Sequence, residues 1–252
     1  MYIPSSEGES KNQSRAEWPK AYRRSLEYAI SRRGLRGTVK AGPRQGEAAL
    51  RKIILATHNQ GKLREITALL GSANVELLSL NDYPEVPEIE EDGATFLENA
   101  RKKACTVAAL TGEAALADDS GLEVEWLGGA PGIYSARFAG PGATDAANIA
   151  KLLEALRGVP RARRGAAFRC VLVYCRPDGS WEHFTGTLQG EIAAAPTGSA
   201  GFGYDPVFYV PAYKCTVAQL AAEVKNRISH RGRAIAAFKL YLERELSYPH
   251  GA

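Results

Sequence analysis

The amino-acid sequence predicts an α/β fold, because short apolar runs typical of buried strands alternate with amphipathic helical segments over residues 51–252. The first run, residues 52–57, is followed by a glycine-bearing turn and a helix. Two longer runs, 167–175 and 181–192, flank a Pro-Asp-Gly-Ser turn and predict a β-hairpin. We therefore expect a sheet that is covered by helices.

The first strand, turn and helix together suit a phosphate group. Residues 52–57 are apolar at their centre, as in a strand buried on both faces, and His58-Asn59-Gln60-Gly61 forms a turn. Lys62 opens a helix whose free N–H groups and positive dipole end point at the turn. A lysine in the first turn is unfavourable for the helix, which favours a role in ligand binding. The loop is not a Walker A motif, since Leu63 replaces the Ser/Thr, and alone it is weak evidence for a phosphate site.

An acidic loop precedes the second helix. Residues 85–92 carry five carboxylates, and two prolines keep the segment extended. In isolation, a solvated surface loop is the simpler interpretation. Thr95-Phe96-Leu97-Glu98 forms a capping box and predicts a helix with an apolar face. We therefore interpret Glu98 as the reciprocal cap of this helix rather than as a metal ligand.

Two adjacent carboxylates, Asp118 and Asp119, lie where an apolar run ends and a turn at Gly121 is predicted. Side chains alternate along a strand, so these two carboxylates should point to opposite faces. One can then be structural while the other faces a cleft. If the cleft binds a polyphosphate, that carboxylate can hold Mg²⁺ and take a proton from the attacking water. The alternative is that Asp-Asp-Ser-Gly is only a polar turn.

Further helices are predicted after this stretch. Residues 127–132 are predicted to form a tight loop that only small residues allow. Thr144 or Asp145 then caps a helix that continues through Leu156. Another helix is predicted from Val217, and an amphipathic helix closes the chain.

Two segments near the carboxyl end are candidates for holding a base. Residues 198–206 place glycines on both sides of Phe202, so that backbone can approach a ligand while the ring offers a stacking face. The alternative is a glycine-rich turn with Phe202 in the core. Lys225, His230 and Arg231 gather hydrogen-bond donors in a short stretch, for which a solvated basic bend is the alternative.

Composition and charge limit the possible classes. The chain is 45% hydrophobic and 24% charged, which is typical of a globular protein, and no stretch has the roughly 20 apolar residues of a membrane helix. The net charge of +4 is uneven: residues 1–50 hold ten Lys/Arg and five Asp/Glu. We interpret 1–50 as a basic, disordered extension and 51–252 as the folded domain. The domain itself is not basic, so no stable nucleic-acid partner is expected.

The four cysteines are predicted to be reduced. Cys105, Cys170, Cys175 and Cys215 form no CxxC pair, and Cys170 and Cys175 should lie on opposite faces of one strand. We interpret all four as packing residues of a cytoplasmic protein. The first residues carry no apolar signal region, so secretion and a membrane partner are not expected.

Six motifs, taken in order, resemble one known family. They are Ala56-Thr57-His58-Asn59-Gln60-Gly61-Lys62, Phe96-Leu97-Glu98-Asn99-Ala100, Ala117-Asp118-Asp119-Ser120-Gly121, Gly128-Gly129-Ala130-Pro131-Gly132-Ile133-Tyr134-Ser135-Ala136-Arg137, Phe202-Gly203-Tyr204-Asp205-Pro206 and Ser229-His230-Arg231-Gly232. The sequence resembles the inosine triphosphate pyrophosphatase family, whose members act on dITP, ITP and XTP. The resemblance covers about Ile53 to Leu246; some members have Gly where His58 stands.

The resemblance implies an elongated, two-lobed α/β fold, in which a central twisted mixed sheet is flanked by helices and a nucleotide cleft lies between the lobes. It also implies a homodimer and Mg²⁺-dependent hydrolysis of a nucleoside triphosphate to the monophosphate and pyrophosphate. Such an enzyme would remove non-standard purines from the nucleotide pool.

The resemblance also implies the roles of particular residues. Asp119 is the proton acceptor and a metal ligand, and Glu90 is the second metal carboxylate; Glu91 is the open alternative, because the assignment rests on counting back from Gly93. Substrate binding is implied for Thr57, His58, Asn59, Gln60, Gly61, Lys62, Ser120, Phe202, Gly203, Tyr204, Asp205, Lys225, His230 and Arg231.

Two other functions remain as alternatives. One is a broader nucleotide pyrophosphatase that also accepts modified pyrimidines. The other is a nucleotide-binding or RNA-binding module that uses the basic extension, binds RNA in a salt-sensitive manner and has no turnover. The presence of Asp119, Glu90 and Lys62 together argues against the second.

Overall fold

The structure is a computed structural model that describes residues 51–71, 73 and 75–247, apart from the side chains of 246 and 247. The disordered extension predicted for residues 1–50 lies outside the described residues. Within the described part of the chain, no helix has the length and apolar character that crossing a membrane requires.

A seven-stranded mixed sheet forms the centre of the fold, as expected. Its strands are β1 (Arg51–Leu55), β2 (Val75–Ser79), β3 (Ala114–Val124), β4 (Gly165–Cys175), β5 (Trp181–Ile192), β6 (Phe208–Val210) and β7 (Cys215–Thr216). Their order across the sheet is β2-β1-β3-β4-β5-β6-β7. β1 pairs in parallel with β2 and β3, whereas every pair from β3–β4 to β6–β7 is antiparallel. The β4–β5 hairpin confirms the sequence prediction.

Among the described residues, five α-helices cover the sheet. They are α1 (Gln60–Leu70), α2 (Phe96–Thr111), α3 (Asp145–Ala155), α4 (Ala222–Ile228) and α5 (His230–Ser247). Thr95 and Thr144 are the N-caps of α2 and α3, since their side chains accept hydrogen bonds from backbone N–H groups in the first turn. In α2 the carboxylate of Glu98 accepts from the Ala94 N–H at 2.7 Å, in agreement with its interpretation as a capping residue.

The hydrophobic core divides between the two faces of the sheet, because neighbouring strand residues point to opposite sides. Ile53 and Leu55 face the cluster that includes α1 and α5, and Ile54 faces the cluster that includes α2. A third cluster joins α3 to the ends of β3 and β4 and to β6, with Leu152 and Phe208 fully buried. The alternation continues along β3 and decides where its two aspartates point.

Two local predictions are wrong. Gly121 does not begin a turn, because β3 continues to Val124; a side chain at Gly121 would collide with the carbonyl oxygen of Gly132, so the close approach of this loop requires a glycine inside the strand. The helix expected from Val217 is a single 3₁₀ turn closed by a capping box between Thr216 and Gln219. The α-helix begins only at Ala222.

The prediction that all four cysteines are reduced is wrong for one pair. Cys105 and Cys175 form a disulfide with their Cα atoms 5.2 Å apart, whereas Cys170 and Cys215 are free. Because α2 packs on one face of β4, it brings together two cysteines that are 70 residues apart in the sequence. Spacing along the chain carries no signal for such a tertiary contact.

Candidate active site

Most of the predicted site residues line a cavity of about 350 Å³. The cavity is bounded by the loop after β1, the acidic loop before α2, the centre of β3, the Phe202 turn (residues 198–206) and the region where α4 meets α5. Of the residues named above, it is lined by Thr57, His58, Asn59, Lys62, Asp119, Ser120, Phe202, Gly203, Tyr204, Asp205, Lys225, His230 and Arg231. Gln60, Gly61 and Glu90 are not among its lining residues.

The loop between β1 and α1 is held by its own polar side chains. Asn59 is the N-cap of α1 and accepts a hydrogen bond from the Lys62 N–H at 3.0 Å. The hydroxyl of Thr57 accepts from the Asn59 N–H at 3.2 Å. The helix therefore begins at Gln60, two residues earlier than predicted, and its amino terminus opens toward the cavity.

Asp118 belongs to the α1 and α5 face of β3, where two cations surround its carboxylate. Lys62 forms an ion pair with one oxygen, and the Arg231 Nε donates to the other at 3.0 Å. The Ser120 hydroxyl donates to Asp118 at 2.7 Å and accepts from Arg231 at 2.9 Å. Burial alone would raise the pKa of Asp118, but Arg231 and Lys62 hold it well below its ordinary value. Asp118 is therefore an ionised structural partner that fixes Lys62 and Arg231.

Asp119 faces the opposite side of β3, toward α2. Its side chain is 6% exposed, and the Lys103 ammonium lies 4.0 Å from its Oδ1. Burial raises the pKa of Asp119 to about 6, although Lys103 and Lys62 oppose the shift. Its other oxygen, Oδ2, is buried and has no hydrogen-bond partner among the described residues. A buried carboxylate oxygen without a partner is a position at which a cation or a water can bind.

Glu91, rather than Glu90, lies beside Asp119. The Lys103 Nζ donates to Glu91 Oε1 at 2.6 Å and to the backbone carbonyl of Asp118 at 2.7 Å. Glu91 lines the cavity, whereas Glu90 is exposed. Counting along a loop could not separate the two, because only the fold shows which of them turns inward.

The cavity fits a hard divalent cation. Glu91 and the unpartnered Oδ2 of Asp119 offer carboxylate oxygens, which such ions prefer. No group of three or more His, Cys, Asp or Glu side chains with the arrangement of a metal site occurs in residues 51–71, 73 and 75–247. Two carboxylates are typical of Mg²⁺ sites, in which phosphate oxygens and water supply the remaining ligands.

Phe202 lines the cavity beside Lys225 and Arg231. Lys225 Nζ lies 5.0 Å from the centre of its ring, and the Arg231 guanidinium carbon lies 5.6 Å from it. Gly61 packs against the ring, so closely that a Cβ there would lie 2.7 Å from a ring carbon. The turn is also fixed by Asp205, which accepts from the Phe202 N–H at 3.0 Å and from Lys225 at 2.5 Å.

Glu65 of α1 connects the two cations at this end of the cavity. One of its oxygens lies 2.6 Å from Lys225 Nζ, and the other accepts from the Arg231 guanidinium at 2.5 Å. Arg231 therefore bridges Glu65 and Asp118, which lie on different elements. A buried guanidinium held on two sides keeps a fixed orientation.

His230 is a neutral side chain in this environment. Its ring stacks on Phe168 with 4.8 Å between centroids, and it is 7% exposed. Burial, reinforced by the neighbouring Arg231, lowers the pKa of His230 well below its ordinary value. Nδ1 has no hydrogen-bond partner in the described part of the chain, so it is available to a ligand.

Sequence reasoning missed Lys103 and Glu65. Both lie on helices and meet the side chains that line the cavity only through the packing of those helices on the sheet. One signal was present in the sequence for Lys103, because it lies between Ala100 and Ala104 on the apolar face of α2; in the structure it is 9% exposed. A lysine on an apolar face requires a partner, and here it has two.

Comparison with known proteins identifies the family of the chain. A family model described as the Ham1 family matches residues 53–241. A dITP/XTP pyrophosphatase of Geobacter sulfurreducens is 53% identical over 191 residues, which cover 76% of this chain and 96% of that protein. A dITP/XTP pyrophosphatase of Desulforamulus reducens is 50% identical over 200 residues, which cover 77% of this chain and 100% of that protein.

Solved structures agree with the sequence comparison. A HAM1 protein from Coxiella burnetii superimposes with a TM-score of 0.72 at 44% identity, and the match covers 77% of this chain and 100% of that one. The mixed sheet with its flanking helices is the fold that the resemblance implied.

Proposed function

The chain belongs to the Ham1 family, and we propose that it hydrolyses non-standard purine nucleoside triphosphates, namely dITP, ITP and XTP, to the monophosphate and pyrophosphate. Such an activity removes deaminated purines from the nucleotide pool. The observation that carries the proposal is Asp119: a buried carboxylate with a free oxygen, in a cavity with a helix amino terminus and Lys62 beside it and Phe202 across from it.

The phosphates lie at the amino terminus of α1. The backbone N–H groups of the first turn and the helix dipole favour an anion there. Lys62 lines the same region, and its ion pair with Asp118 keeps it protonated: burial alone would lower the pKa of Lys62, but Asp118 raises it above its ordinary value. A triphosphate bound in this way is held for attack and its charge is partly offset.

Asp119 and Glu91 would hold a divalent cation, which we propose is Mg²⁺. When bound, the ion offsets phosphate charge and acidifies the attacking water. Lys103 lies between the two carboxylates and orients Glu91. Glu90, the other candidate ligand, is exposed and does not line the cavity.

Asp119 is the general base of the proposed reaction. With a pKa of about 6 it is mostly ionised at pH 7, yet it is more basic than an ordinary aspartate. It takes a proton from the water that attacks the α-phosphorus. A P–O bond to the water oxygen forms, the bond from the α-phosphorus to the bridging oxygen breaks, and pyrophosphate leaves.

The base is recognised by hydrogen-bond donors around Phe202. Hypoxanthine and xanthine present an oxygen at C6, where adenine presents an amino group. Arg231 and Lys225 are cations fixed by Glu65, and their N–H groups can donate to the C6 oxygen. With adenine, the same N–H groups would face the amino group, which is itself a donor. Each unsatisfied buried polar group costs about 1–3 kcal/mol, so two give on the order of 30-fold to 10⁴-fold selectivity.

We further propose that the enzyme is a homodimer and acts in the cytoplasm, where the nucleotide pool is. Trp126 and Tyr134, on the connection between β3 and α3, are 46% and 56% exposed, and a subunit contact at this connection would bury them. Light scattering after size exclusion tests the dimer, which has twice the monomer mass of 27.2 kDa.

Pyrophosphate release from a panel of nucleotides tests the proposed activity. With Mg²⁺, we expect rapid release from ITP, dITP and XTP and slow release from ATP, and loss of activity when EDTA is added. Equal rates on dUTP would instead support a broader pyrophosphatase. Binding of RNA without any turnover would support the non-enzymatic alternative and overturn the proposal.

A further inference from the structure

Asp145, the first residue of α3, lines the cavity without a role in the function proposed above. One of its oxygens, Oδ2, accepts a hydrogen bond from the backbone N–H of Gly203 at 2.7 Å. This bond fixes the carboxylate beside the Phe202 turn. The side chain is exposed at the rim of the cavity rather than buried in its interior.

The other oxygen, Oδ1, is available to a ligand. No described residue donates a hydrogen bond to it or forms an ion pair with it. Both oxygens of Glu65 are bound, one by Lys225 and the other by Arg231. Asp205 is 4% exposed and pairs with Lys225 inside the cavity rather than at its rim. Asp145 is therefore the exposed carboxylate with an unpartnered oxygen next to the Phe202 turn in the part of the chain that the structure describes.

The chemistry of the carboxylate limits which part of a nucleotide it can meet. An ionised carboxylate only accepts hydrogen bonds, so it is repelled by phosphate and by the C6 oxygen of the base. The donors on a purine nucleoside triphosphate are the sugar hydroxyls and the N–H groups of the base. The polar edge of the base belongs in the buried end with His230 and Arg231, which are 7% and 2% exposed. The exposed rim is left for the sugar.

We propose that Asp145 is a specificity-determining residue that binds the sugar: its Oδ1 accepts a hydrogen bond from a sugar hydroxyl of the substrate while its Oδ2 stays on the Gly203 amide. The inference rests on the proposed function and deepens it, since it assigns the sugar a contact on α3. Phosphates, sugar and base then lie in that order from α1 and β3 to the Phe202 turn.

The test compares kcat/KM for ITP, dITP and 2′,3′-dideoxyinosine triphosphate in the wild-type enzyme and in Asp145→Ala. The decisive quantity is the ratio of kcat/KM for ITP to kcat/KM for the dideoxy nucleotide. Because a hydrogen bond to a charged group is lost with the dideoxy nucleotide, this ratio should be about tenfold or more in the wild-type enzyme. In Asp145→Ala it should fall to about twofold or less, because the acceptor is gone. Glu154→Ala removes another exposed carboxylate of α3, and its ratio should stay at the wild-type value.

The ratio separates a sugar contact from a structural role. Loss of the bond to Gly203 alone would lower kcat/KM equally for all three nucleotides, leave the ratio unchanged and overturn the proposal. A wild-type enzyme with no preference for sugar hydroxyls would also overturn it. If Asp145→Ala does not fold, Asp145→Asn replaces it, and its weaker amide acceptor should lower the ratio in part. Absence of turnover on every nucleotide by the wild-type enzyme would instead reject the proposed function itself.

Discussion

At the scale of single residues, two neighbouring aspartates have opposite properties because a strand sends them to opposite faces. Asp118 lies between Lys62 and Arg231, and its pKa is held well below the ordinary value. Asp119 is buried with the Lys103 ammonium 4.0 Å from its carboxylate, and its pKa is raised to about 6. The alternation that separates them was visible in the sequence. The direction of each pKa shift was not, because it depends on the balance between burial and the cations that α1, α2 and α5 bring to each carboxylate.

The first prediction concerns pH. Because Asp119 must be ionised to accept a proton, kcat/KM should fall as the pH drops through about 6. A bound cation favours the ionised carboxylate, so raising the Mg²⁺ concentration should move this acid limb to lower pH. The measurement is a pH profile at two Mg²⁺ concentrations. An acid limb near pH ~4 that does not respond to Mg²⁺ would contradict the assignment, because an unperturbed aspartate titrates there.

The second prediction concerns Asp119→Asn. Removal of the general base should lower kcat by about 10²- to 10⁴-fold while nucleotide binding persists.

The same substitution should also change the stability of the protein. Because the pKa of Asp119 is raised, the ionised carboxylate lowers the free energy of unfolding of the wild-type protein, by the full amount above about pH 6. That cost is about 3 kcal/mol, so in EDTA at about pH 8 the variant should be more stable by up to about that amount. The gain should fall as the pH drops from about 6 to about 4 and should vanish by about pH 3, where the wild-type carboxyl is protonated in both states. Urea unfolding at both pH values measures the difference in free energy of unfolding. Near-normal turnover by the variant would refute the role of Asp119 as general base.

The third prediction separates Glu90 from Glu91. Glu91→Gln should raise the Mg²⁺ concentration needed for half-maximal rate by at least about tenfold, because it removes a carboxylate from the cavity and weakens the contact with Lys103. Glu90→Gln is the matched control and should change it little, since Glu90 is exposed. The reverse pattern in a Mg²⁺ titration would restore Glu90 as the ligand.

At the scale of elements, most of the helices and strands that depend on neighbouring residues could be predicted from the sequence. The hairpin of β4 and β5 and the caps Thr95 and Thr144 depend on neighbours in the chain, and they appear where they were expected. Two predictions failed where a tertiary contact decides the outcome: Gly121 lies inside a strand that pairs with β4 and has a neighbouring loop packed on it, and Cys105 meets its partner cysteine because α2 packs on β4. The helix expected from Val217 failed for a local reason, since a capping box closes a 3₁₀ turn there.

The fourth prediction concerns the contact between α1 and the Phe202 turn. Gly61→Ala would place a methyl group 2.7 Å from the Phe202 ring and push the ring from its position. We expect KM for ITP to rise on the order of tenfold or more, because the stacking face is displaced. Gly71→Ala, at the opposite end of α1, is the control; its Cβ would lie 3.3 Å from a backbone oxygen on an exposed surface.

A double-mutant comparison checks the origin of that effect. In a Phe202→Ala background the ring is absent, so Gly61→Ala should add little further loss. If the two substitutions are instead additive in their effect on KM, the close packing of Gly61 on the ring is not the cause.

At the scale of the whole molecule, the cavity collects side chains from both faces of the sheet and from several helices. The family resemblance supplied most of these residues, because its motifs are far apart in the sequence and only the fold brings them together. Lys103 and Glu65 lie outside the residues assigned from those motifs, and packing alone revealed them.

The fifth prediction concerns residues 1–50. The lining of the cavity, in the part of the chain that the structure describes, runs from Ala56 to Arg231. Removal of the basic extension should therefore leave kcat and KM for ITP unchanged within about twofold. The measurement compares the full chain with a chain that begins at Arg51. A large loss of activity in the shorter chain, with its fold intact by circular dichroism, would show that the extension is part of the enzyme.

The central claim is that water attacks the α-phosphorus of a non-standard purine triphosphate in the Asp119 cavity. Hydrolysis of ITP in ¹⁸O-labelled water tests it most directly, with mass spectrometry of both products. We predict one ¹⁸O atom in the inosine monophosphate and none in the pyrophosphate. Label in the pyrophosphate, or release of single phosphates, would contradict the account.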